Sequence, residues 1–480
     1  MGLKEKTVGD LTEILGPESI ISDDGAMRIA DPIMVRTYAK AFGYVPEHRP
    51  LCIVKAASAE QVSKTLRYCS DNDIHVIART GASSSEDQLL VIDDRTIFID
   101  GSPMNRIVDI DTENMVVTAQ CGTPIAALEE RLNADGYTLG HAPQSLPLAS
   151  MGGLVATRST GQFSTYYGGI EDLVCGLEAV LPNGEPIAIR PVPRRAAGPD
   201  LRHIAIGSEG ALVFITEVTV KIFKWYPDLM WKGGYIVENF KTGLAAVRDV
   251  MVKGYKPSVV RLYDKADVDH NYGSVKLKNE EAFMFFTVEG PGGVPEAHGA
   301  AIHQIALSYG AEHIGVKAVD HWFLTRNRIC DTIGTEKEYV KFRETNVYNA
   351  TLEICANWGQ IGEIYDEAMR TLPEVIPELV MLGGHVSHSY MNGTNVYFVY
   401  ALKMGDPASA HLAQYRFVDA VCDVVLKYSS ATIVHHHGVG KMRAGRIREE
   451  LGSSFTLLEM LKQSIDPGNI MNPGCLIPIG

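Results

Sequence analysis

Residues 140–176 form a long polar stretch rich in glycine and serine, which begins GHAPQSLPLASMGG and ends GGIEDLVCG. A compact domain rarely contains a loop of this length unless the loop carries a function. The segments on both sides alternate between apolar and polar residues in the manner of regular secondary structure. The stretch is therefore predicted to be a binding loop inside a domain rather than a linker between domains.

The segments before this loop predict short strands and helices in alternation. Ser58 is a predicted N-cap, since Glu60 and Gln61 follow it in the first turn of an amphipathic segment, and Gly136 closes a second helix. Apolar segments predict strands at 51–57, 75–80 and 89–100, and residues 107–122 read as a hairpin. This texture indicates an α+β fold.

The segments after the loop predict a second hairpin and then a region of longer helices separated by strands. Asn183-Gly184 is a typical two-residue hairpin turn, and a strand follows the turn at 207–210. From about residue 225 the helices become longer. We therefore predict four regions: an N-terminal helical segment at 1–45, a first domain at 46–224, a second α+β domain at 225–430, and a C-terminal segment at 431–480.

Composition excludes several classes of protein. The net charge of −14 argues against nucleic acid as a partner, although a small anion could still bind in a locally basic pocket. No apolar run approaches the ~20 residues of a membrane span, and the N-terminus has no apolar run of signal-peptide length. The eight cysteines are scattered without close pairs, which favours reduced thiols and a cytoplasmic location.

Three loops of small residues are suited to holding phosphate groups. The first loop, at 79–85, follows a predicted strand. The second is the long loop, and the third is the turn at 207–210. Small residues let backbone N–H groups approach a pyrophosphate, and hydroxyl groups add further donors. Neither GxGxxG nor a P-loop is present. Three such loops in one domain favour a large dinucleotide ligand.

The order of these loops resembles the FAD-binding domain of the vanillyl-alcohol oxidase/p-cresol methylhydroxylase (PCMH-type) flavoproteins. The matching text comprises the loop near 80, the long loop, GSEGALVFITEVTVKI and IDPGNIMNPG near the C-terminus. The resemblance implies two α+β subdomains that enclose FAD, a cap domain over the flavin ring, and a C-terminal segment that completes the site. It also implies cofactor contacts from Arg79, Thr80, Gly81, Ala82, Ser83, Ser84, Ser85, Pro143, Ser145, Gly152, Gly153, Thr157, Arg158, Gly161, Ser164, Glu209, Gly210 and Ile215.

The mode of FAD attachment is predicted from the first loop. Members of the family that bind FAD covalently often use a histidine there, whereas this loop has serines and the nearest histidine is His75, in the preceding strand. We therefore expect non-covalent FAD.

Within the superfamily, the cap and C-terminal segment resemble alkyldihydroxyacetonephosphate synthase and bacterial FAD-linked oxidoreductases. The matching segments are SVVRLYD, VKFRET, SHSYMNGTNVYFVY and VHHHGVGKMR. The resemblance implies catalytic roles for Tyr397, His435, His436 and His437, and substrate binding by Arg261, Arg343 and Lys441. The residue types agree with these roles: guanidinium groups bind carboxylate or phosphate, and a tyrosine or histidine can accept a proton if its pKa is shifted toward neutrality. His437 is our choice for the catalytic histidine.

Three consecutive histidines also raise the question of a metal site. Adjacent side chains are expected to diverge, although His435 and His437 could share one face of a strand, and His385 and His388 are the best candidates for a second pair. Metal-dependent D-2-hydroxyacid dehydrogenases of the superfamily carry GDGNxH and Glu-His-Gly. Tyr397 and His436 stand at two of those positions here. We therefore predict that no metal binds.

Two reactions remain open. The first is a flavin dehydrogenase that oxidises a small anionic hydroxylated substrate, such as a 2-hydroxy acid or sugar acid, by hydride transfer to flavin N5, with a protein or a quinone as electron acceptor. The second is a synthase-like transferase that uses flavin as a covalent scaffold without net redox change. The basic stretch at 190–203 is a candidate lining for flavin phosphates, a docking face for an electron-transfer partner, or a solvated loop. We expect a homodimer.

Overall fold

The computed structural model describes residues 2–23, 25, 37–44 and 46–479. Its helices span Leu3–Leu15, Thr37–Ala41, Ala59–Asn72, Ile125–Ala134, Met151–Ala156, Ser164–Tyr167, Ile170–Leu173, Arg202–Ala205, Phe240–Val252, Lys265–Asn271, Val294–Ser308, Lys317–Thr325, Glu336–Thr345, Ile361–Val375, Ala410–Val425, Ile447–Leu451 and Phe455–Ile465. Within the described residues, no helix combines the length and apolar character needed to cross a membrane.

The first sheet contains the strand that leads into the first small-residue loop. Its strands lie in the order Ile20–Ile21, Ile53–Lys55, Thr96–Asp100 and His75–Arg79, and the last three are mutually parallel. The helix Ala59–Asn72 connects Ile53–Lys55 to His75–Arg79, and Ser58 caps it by accepting the backbone N–H of Gln61 at 3.2 Å, as predicted. Because Arg79 is the last residue of its strand, the loop that follows opens at the carboxyl edge of the sheet.

The second sheet is antiparallel and carries the long loop between two of its strands. Its order is Ile107–Asp111, Val116–Gln120, Phe214–Lys221, Val174–Val180 and Pro186–Ile189. Both hairpins predicted from the sequence form here. A short pair, Tyr137–Thr138 with Phe223–Lys224, lies beside it. The loop therefore leaves the second sheet and packs against the first.

The cap sheet is the largest and is also antiparallel. Its order is Glu312–Gly315, Met230–Val237, Ala282–Glu289, Val259–Tyr263, Leu379–Val386, Gly393–Lys403, Val347–Asn357 and Ala431–Thr432. Helices Phe240–Val252, Val294–Ser308, Ile361–Val375 and Ala410–Val425 contribute apolar side chains to the main core on this sheet. The three larger sheets all combine with helices, which confirms the α+β class.

The two terminal regions join the domains instead of standing apart. Ile20–Ile21 pairs in the first sheet, while Tyr38 packs against Phe342 and Tyr348 of the cap. The predicted helical segment at 1–45 contains the helices Leu3–Leu15 and Thr37–Ala41 and the short strand Ile20–Ile21, while residues 1, 24, 26–36 and 45 lie outside the described residues. At the other end, Ala431–Thr432 pairs in the cap sheet and Met471 bridges to Val76 of the first sheet. The C-terminal segment thus connects the cap to the first domain at the point where the loops converge.

Candidate active site

A cavity lies between the loops of the first domain and the inner face of the cap. The long loop fixes the conformation of the loop at 79–85 through Ser150. The backbone N–H of Gly81 donates to Ser150 Oγ at 2.9 Å, and that hydroxyl donates to Thr80 Oγ1 at 2.6 Å. A Cβ at Gly81 would lie 2.5 Å from the Leu148 carbonyl oxygen. Ala82 adopts a positive φ of 57°, a conformation that turns successive backbone N–H groups toward one side. The two loops therefore form a close-fitting wall of small residues.

The turn at 207–210 binds the C-terminal segment beside the same cavity. The buried carboxylate of Glu209 accepts the backbone N–H groups of Val439 at 2.7 Å and Gly440 at 2.8 Å. Gly440 has a positive φ of 56°, and a Cβ there would lie 1.8 Å from the Glu86 carbonyl oxygen. The glycines of the C-terminal motif thus allow its backbone to pack directly against the first domain.

Most residues of the predicted cofactor set line the cavity. Those that do are Arg79, Thr80, Gly81, Ala82, Ser83, Ser84, Ser85, Pro143, Ser145, Gly152, Gly153, Thr157, Glu209, Gly210 and Ile215. Arg79 lines it with its guanidinium already paired to Asp100 at 2.9 Å. Lining residues that the sequence did not single out include Gln88, Gln144, Leu148, Ser150, Thr160, Gln162, Ile329, Cys330, Ile333 and Thr351.

Three members of that set lie outside the lining. Arg158 pairs with Glu171 at 3.3 Å and is more than half exposed, which directs its charge to the surface. Gly161 packs on backbone, since a Cβ there would lie 2.7 Å from the Ala142 nitrogen. Ser164 Oγ hydrogen-bonds to His388 Nδ1 at 2.7 Å and so supports the cap side of the cavity. The arginines of the 190–203 stretch do not line the cavity either.

Arg261 is the cationic side chain that the cap brings to the cavity wall, from the strand Val259–Tyr263. Only 5% of it is exposed, and its guanidinium lies over the Trp322 ring, 5.1 Å from the centroid. Its Nε has no hydrogen-bond partner within the described part of the chain. A buried guanidinium with a free donor is costly unless it meets an anion, so this position favours an anionic ligand.

The three consecutive histidines converge because their backbone wraps around one carboxylate. Glu353 Oε1 accepts the backbone N–H groups of His435 at 3.2 Å, His436 at 3.1 Å and His437 at 2.9 Å. Glu353 is fully buried in the strand Val347–Asn357, and the fully buried Arg443 donates to its Oε2 at 3.1 Å. The sequence reasoning missed both residues. An isolated acidic residue among apolar strand residues, TLEICA, was the available signal.

The imidazole rings and two tyrosines form a continuous chain of polar contacts. Tyr390 Oη lies 2.7 Å from His435 Nε2, and His435 Nδ1 lies 2.7 Å from His436 Nδ1. His436 Nε2 lies 2.6 Å from Tyr397 Oη, which lies 3.4 Å from His437 Nε2. The expectation that adjacent histidines diverge is therefore wrong. The triplet follows the short strand Ala431–Thr432 as irregular backbone, where the alternation of a strand does not apply.

The members of this chain differ in protonation. Burial opposes charge on His437, but the carboxylates of Glu353, at 2.8 Å, and Glu86 outweigh it and raise its pKa to about 9. Burial together with the charge of His437 holds the pKa of His436 well below its usual value. Burial also raises the pKa of Tyr397, aided by the charge of Glu353. At neutral pH, His437 is therefore a cation, His436 is a neutral base, and Tyr397 is an un-ionised phenol.

These directions change two expectations from the sequence. The pKa of Tyr397 moves away from neutrality rather than toward it, because the ring is enclosed beside a carboxylate. The raised pKa of His437 disfavours our choice of it as a proton acceptor, and the lowered pKa of His436 favours a neutral ring there; both catalytic roles stay predictions. His437 instead contributes positive charge to the cavity wall.

Comparisons with known proteins agree with this arrangement. Residues 50–190 match the FAD binding domain, and residues 234–476 match the C-terminal domain of FAD linked oxidases. The FAD-linked oxidoreductase YgcU of Escherichia coli is 42% identical over 479 residues, which cover 98% of each chain. The chain belongs to the FAD-linked oxidases.

Two further relatives of this FAD-linked oxidase carry different named activities. An alkyldihydroxyacetonephosphate synthase of Dictyostelium discoideum is 27% identical over 462 residues, which cover 90% of this chain and 74% of the relative. A mitochondrial D-lactate dehydrogenase [cytochrome] of Arabidopsis thaliana is 28% identical over 449 residues, which cover 89% and 74% of the two chains.

Solved structures show the same fold. An alkyldihydroxyacetonephosphate synthase aligns with a TM-score of 0.76 at 22% identity, covering 98% of this chain and 84% of that one. A p-cresol methylhydroxylase with substrate bound aligns with a TM-score of 0.77 at 14% identity, covering 100% and 98% of the two chains. The PCMH-type fold inferred from the sequence is confirmed.

The cavity of this FAD-linked oxidase fits a dinucleotide in its shape and its donors. Gly152 packs so closely that a Cβ would lie 2.6 Å from the Cys121 Cβ, and Gly153 faces Thr80 across the cavity wall. Ser83, Ser84 and Thr157 line the same cavity and add hydroxyl groups to its wall. These donors suit a pyrophosphate, while Arg261 and the histidine chain at the cap side suit the reacting end of a substrate.

The structure does not bring two predicted substrate residues to this cavity. Arg343 lies on the helix Glu336–Thr345, pairs with Glu336 and donates to the Ala41 carbonyl at 2.9 Å. Lys441 donates to Asn472 Oδ1 at 2.6 Å and to the Gln88 carbonyl at 3.1 Å. Both assignments from the resemblance are therefore corrected: Arg343 joins the cap to the N-terminal region, and Lys441 fastens the C-terminal segment.

Side-chain nitrogen atoms of His388, His435 and His436 all lie within 4.8 Å of one another. Both ring nitrogens of His435 and of His436 already contact other side chains, and His388 Nδ1 contacts Ser164. Binding of a metal there would displace several of these contacts. The absence of a metal stays a prediction.

Proposed function

We propose that this FAD-linked oxidoreductase is a dehydrogenase for a small anionic hydroxylated substrate, such as a 2-hydroxy acid or a sugar acid. FAD, when bound, supplies the acceptor for the hydride that leaves the substrate C–H bond. The protein supplies a site for the substrate anion and a route for the hydroxyl proton. The observation that carries the proposal is that a buried, unpaired donor of Arg261 and a neutral tyrosine–histidine pair line the same cavity.

Arg261 supports an anionic substrate. Its free Nε donor lies in the cavity wall, and a buried guanidinium binds carboxylate or phosphate strongly. The cation of His437 adds a second positive charge to the same wall. A carboxylate held there would place the adjacent carbon and its hydroxyl group within the cavity.

Tyr397 and His436 support removal of the hydroxyl proton. A neutral imidazole accepts a proton, and Tyr397 lies 2.6 Å from it with its phenolic proton in place. As the substrate O–H proton moves to Tyr397 Oη, the phenolic proton moves to His436 Nε2. The substrate C–H bond then breaks with its electron pair and the C–O bond becomes a carbonyl. Such proton transfer typically contributes 10²–10⁴-fold to a rate.

The relatives support a dehydrogenase, and they also support the second reaction. D-lactate dehydrogenases [cytochrome] cover most of the chain, and their named substrate is a 2-hydroxy acid. Synthases also cover most of it, and the resemblance to them is what suggested roles for the histidine triplet, Tyr397 and Arg261. The alternative is therefore a synthase-like transferase, in which Arg261 would hold a substrate phosphate and no net oxidation would occur.

Anaerobic mixing with candidate substrates separates the two. We expect the flavin absorbance to bleach on addition of D-lactate, D-malate or a sugar acid. Product formation from acyl-dihydroxyacetone phosphate and a fatty alcohol, with no external electron acceptor, would refute the dehydrogenase proposal and support the transferase.

The attachment of FAD is tested by acid precipitation of the purified protein. We propose non-covalent binding because His75, the histidine nearest to the first loop, is held by Asp93 at 2.6 Å and does not line the cavity. Yellow flavin should therefore appear in the supernatant. Flavin that stays with the precipitate would contradict this proposal.

A further inference from the structure

We infer that Tyr390 and His435 extend the proton route of the active site into a relay that leads from Tyr397 to the protein surface. This inference rests on the proposed function, since it assigns a destination to the proton that the substrate hydroxyl loses. Neither Tyr390 nor His435 lines the cavity, so both are positioning residues that act through His436.

The relay consists of consecutive short contacts. Tyr397 Oη, His436 Nε2, His436 Nδ1, His435 Nδ1, His435 Nε2 and Tyr390 Oη follow one another, with 2.6, 2.7 and 2.7 Å across the three gaps between residues. Tyr390 is half-buried, and its neighbour Met391 is 68% exposed. The route therefore begins in the cavity wall and ends at a partly exposed tyrosine.

The contact between the two imidazoles gives the relay a direction. Two Nδ1 atoms at 2.7 Å must share one proton, so one histidine is the donor and the other is the acceptor. If His436 donates, then its Nε2 accepts from Tyr397, while His435 Nε2 donates to Tyr390. If His435 donates, every bond in the chain reverses. The chain thus has two states, and passage of one proton converts the first into the second.

The transfer conserves protons at each step. The substrate O–H proton goes to Tyr397 Oη, and the phenolic proton goes to His436 Nε2. The Nδ1 proton of His436 goes to His435 Nδ1, the Nε2 proton of His435 goes to Tyr390 Oη, and the phenolic proton of Tyr390 goes to water. The two electrons leave separately with the hydride.

The surroundings keep the relay neutral between turnovers. His388 stacks on His435 at 5.1 Å between ring centroids and lies edge-on to His436 at 4.9 Å. Burial lowers the pKa of all three rings, to about 4 for His435. The positive charge of Arg261 lowers the pKa of His388 further, and the charges of His437 and Arg443 lower that of His436.

The carboxylate of Glu353 opposes these effects on His435 and His436. Around Tyr390, the charges of Cys355, Glu171 and Asp172 raise its pKa beyond the effect of burial, and Arg158 lowers it. A neutral chain can pass a proton without holding a fixed charge.

The first test needs no substrate. Long-range ¹H–¹⁵N spectra of the FAD-loaded enzyme, labelled with ¹⁵N-histidine, report the tautomer of each ring, and single His435→Gln and His436→Gln variants assign the signals. At pH 7 we expect one of the two histidines to be the Nδ1–H tautomer and the other the Nε2–H tautomer. The same tautomer in both, or a doubly protonated ring in either, would overturn the relay.

The second test uses Tyr390→Phe, which removes the hydroxyl group at the outer end of the relay and keeps the aromatic ring. Tyr235→Phe is the matched control, because Tyr235 Oη also contacts a histidine, His303 Nδ1 at 2.9 Å, outside the cavity. In weakly buffered stopped-flow experiments with D-lactate and a pH indicator, proton release should follow flavin bleaching in the wild-type and control proteins. Tyr390→Phe should release the proton at least about tenfold more slowly.

The outcomes separate the relay from the proposed function. If Tyr390→Phe retains its flavin absorbance and releases the proton as fast as the control, the relay is refuted while the dehydrogenase stands. If no hydroxy acid bleaches the wild-type flavin, the dehydrogenase is refuted, and the tautomers still decide whether the chain is organised as a relay.

Discussion

The carboxylate of Glu353 lies 2.8 Å from Nδ1 of His437, and it also accepts a hydrogen bond from the backbone N–H of His437 at 2.9 Å. One buried side chain therefore sets both the charge of this histidine and the path of its backbone. The neighbouring histidines turn around the same oxygen, so their rings contact one another, and those of His436 and His437 line the cavity.

The stability of the protein should fall as the pH rises from about 6.5 to about 9. The pKa of His437 is raised to about 9 in the folded state, above its unfolded value of about 6.5. The ion pair therefore contributes fully below about pH 6.5 and is lost as the pH rises through about 9, with a total on the order of 3 kcal/mol. Urea unfolding at several pH values measures this effect. The difference between wild-type and His437→Gln curves isolates it, and curves that run parallel would contradict it.

Replacing Glu353 with Gln should destabilise the fold strongly. The variant keeps the shape but leaves the fully buried Arg443 with Glu86, at 3.5 Å, as its remaining charged partner among the described residues. Loss of one partner from a buried ion pair typically costs about 3–5 kcal/mol. Glu367→Gln is the matched control, since it breaks the surface pair with Lys427 and should cost less than about 1 kcal/mol. Equal losses in urea unfolding would contradict the assignment.

Arg261→Gln and Arg343→Gln should affect activity very differently. Arg261 lines the cavity with a free donor, so its loss should raise KM for an anionic substrate by roughly 10–100-fold, equivalent to the loss of a charged hydrogen bond. Arg343 pairs at the surface with Glu336, and its loss should leave KM within about twofold. Steady-state kinetics of the two variants decides between them. If Arg343→Gln raised KM while Arg261→Gln did not, Arg343 would regain the substrate-binding role suggested by the resemblance.

Gly81→Ala should reduce FAD binding. Its Cβ would lie 2.5 Å from the Leu148 carbonyl oxygen and 2.8 Å from the Ser150 nitrogen, so the two loops would have to separate. Gly445→Ala is the control, because a Cβ there meets nothing within 4 Å. The ratio of flavin absorbance to protein absorbance after gel filtration measures the loss. A fully loaded Gly81→Ala protein would show that the loops can adjust.

Local chemistry allowed several features to be predicted from sequence. Ser58 caps its helix and Asn183-Gly184 turns its hairpin because each depends on neighbours a few residues away. The small residues at 79–85 were recognised from their composition, although the cavity that they line also needs the distant Ser150. The resemblance extended this to Arg261, Tyr397 and the histidine triplet, which share one cavity or contact each other there.

The remaining features depend on contacts between residues far apart in the chain. Glu353 lies 82 residues before His435, and its meeting with the triplet depends on how the strand Val347–Asn357 packs in the cap sheet. Arg261 and Arg343 look equivalent as sequence motifs, yet one lies on a buried strand and the other on an exposed helix.

The sequence by itself determined the class of the protein, because small-residue loops, turns and caps act over short distances. The tertiary structure alone decided which histidine lies beside two carboxylates, which lies beside Tyr397, and which arginine lines the cavity. Those properties arise from burial and from the carboxylates that packing brings near, and a linear pattern carries neither.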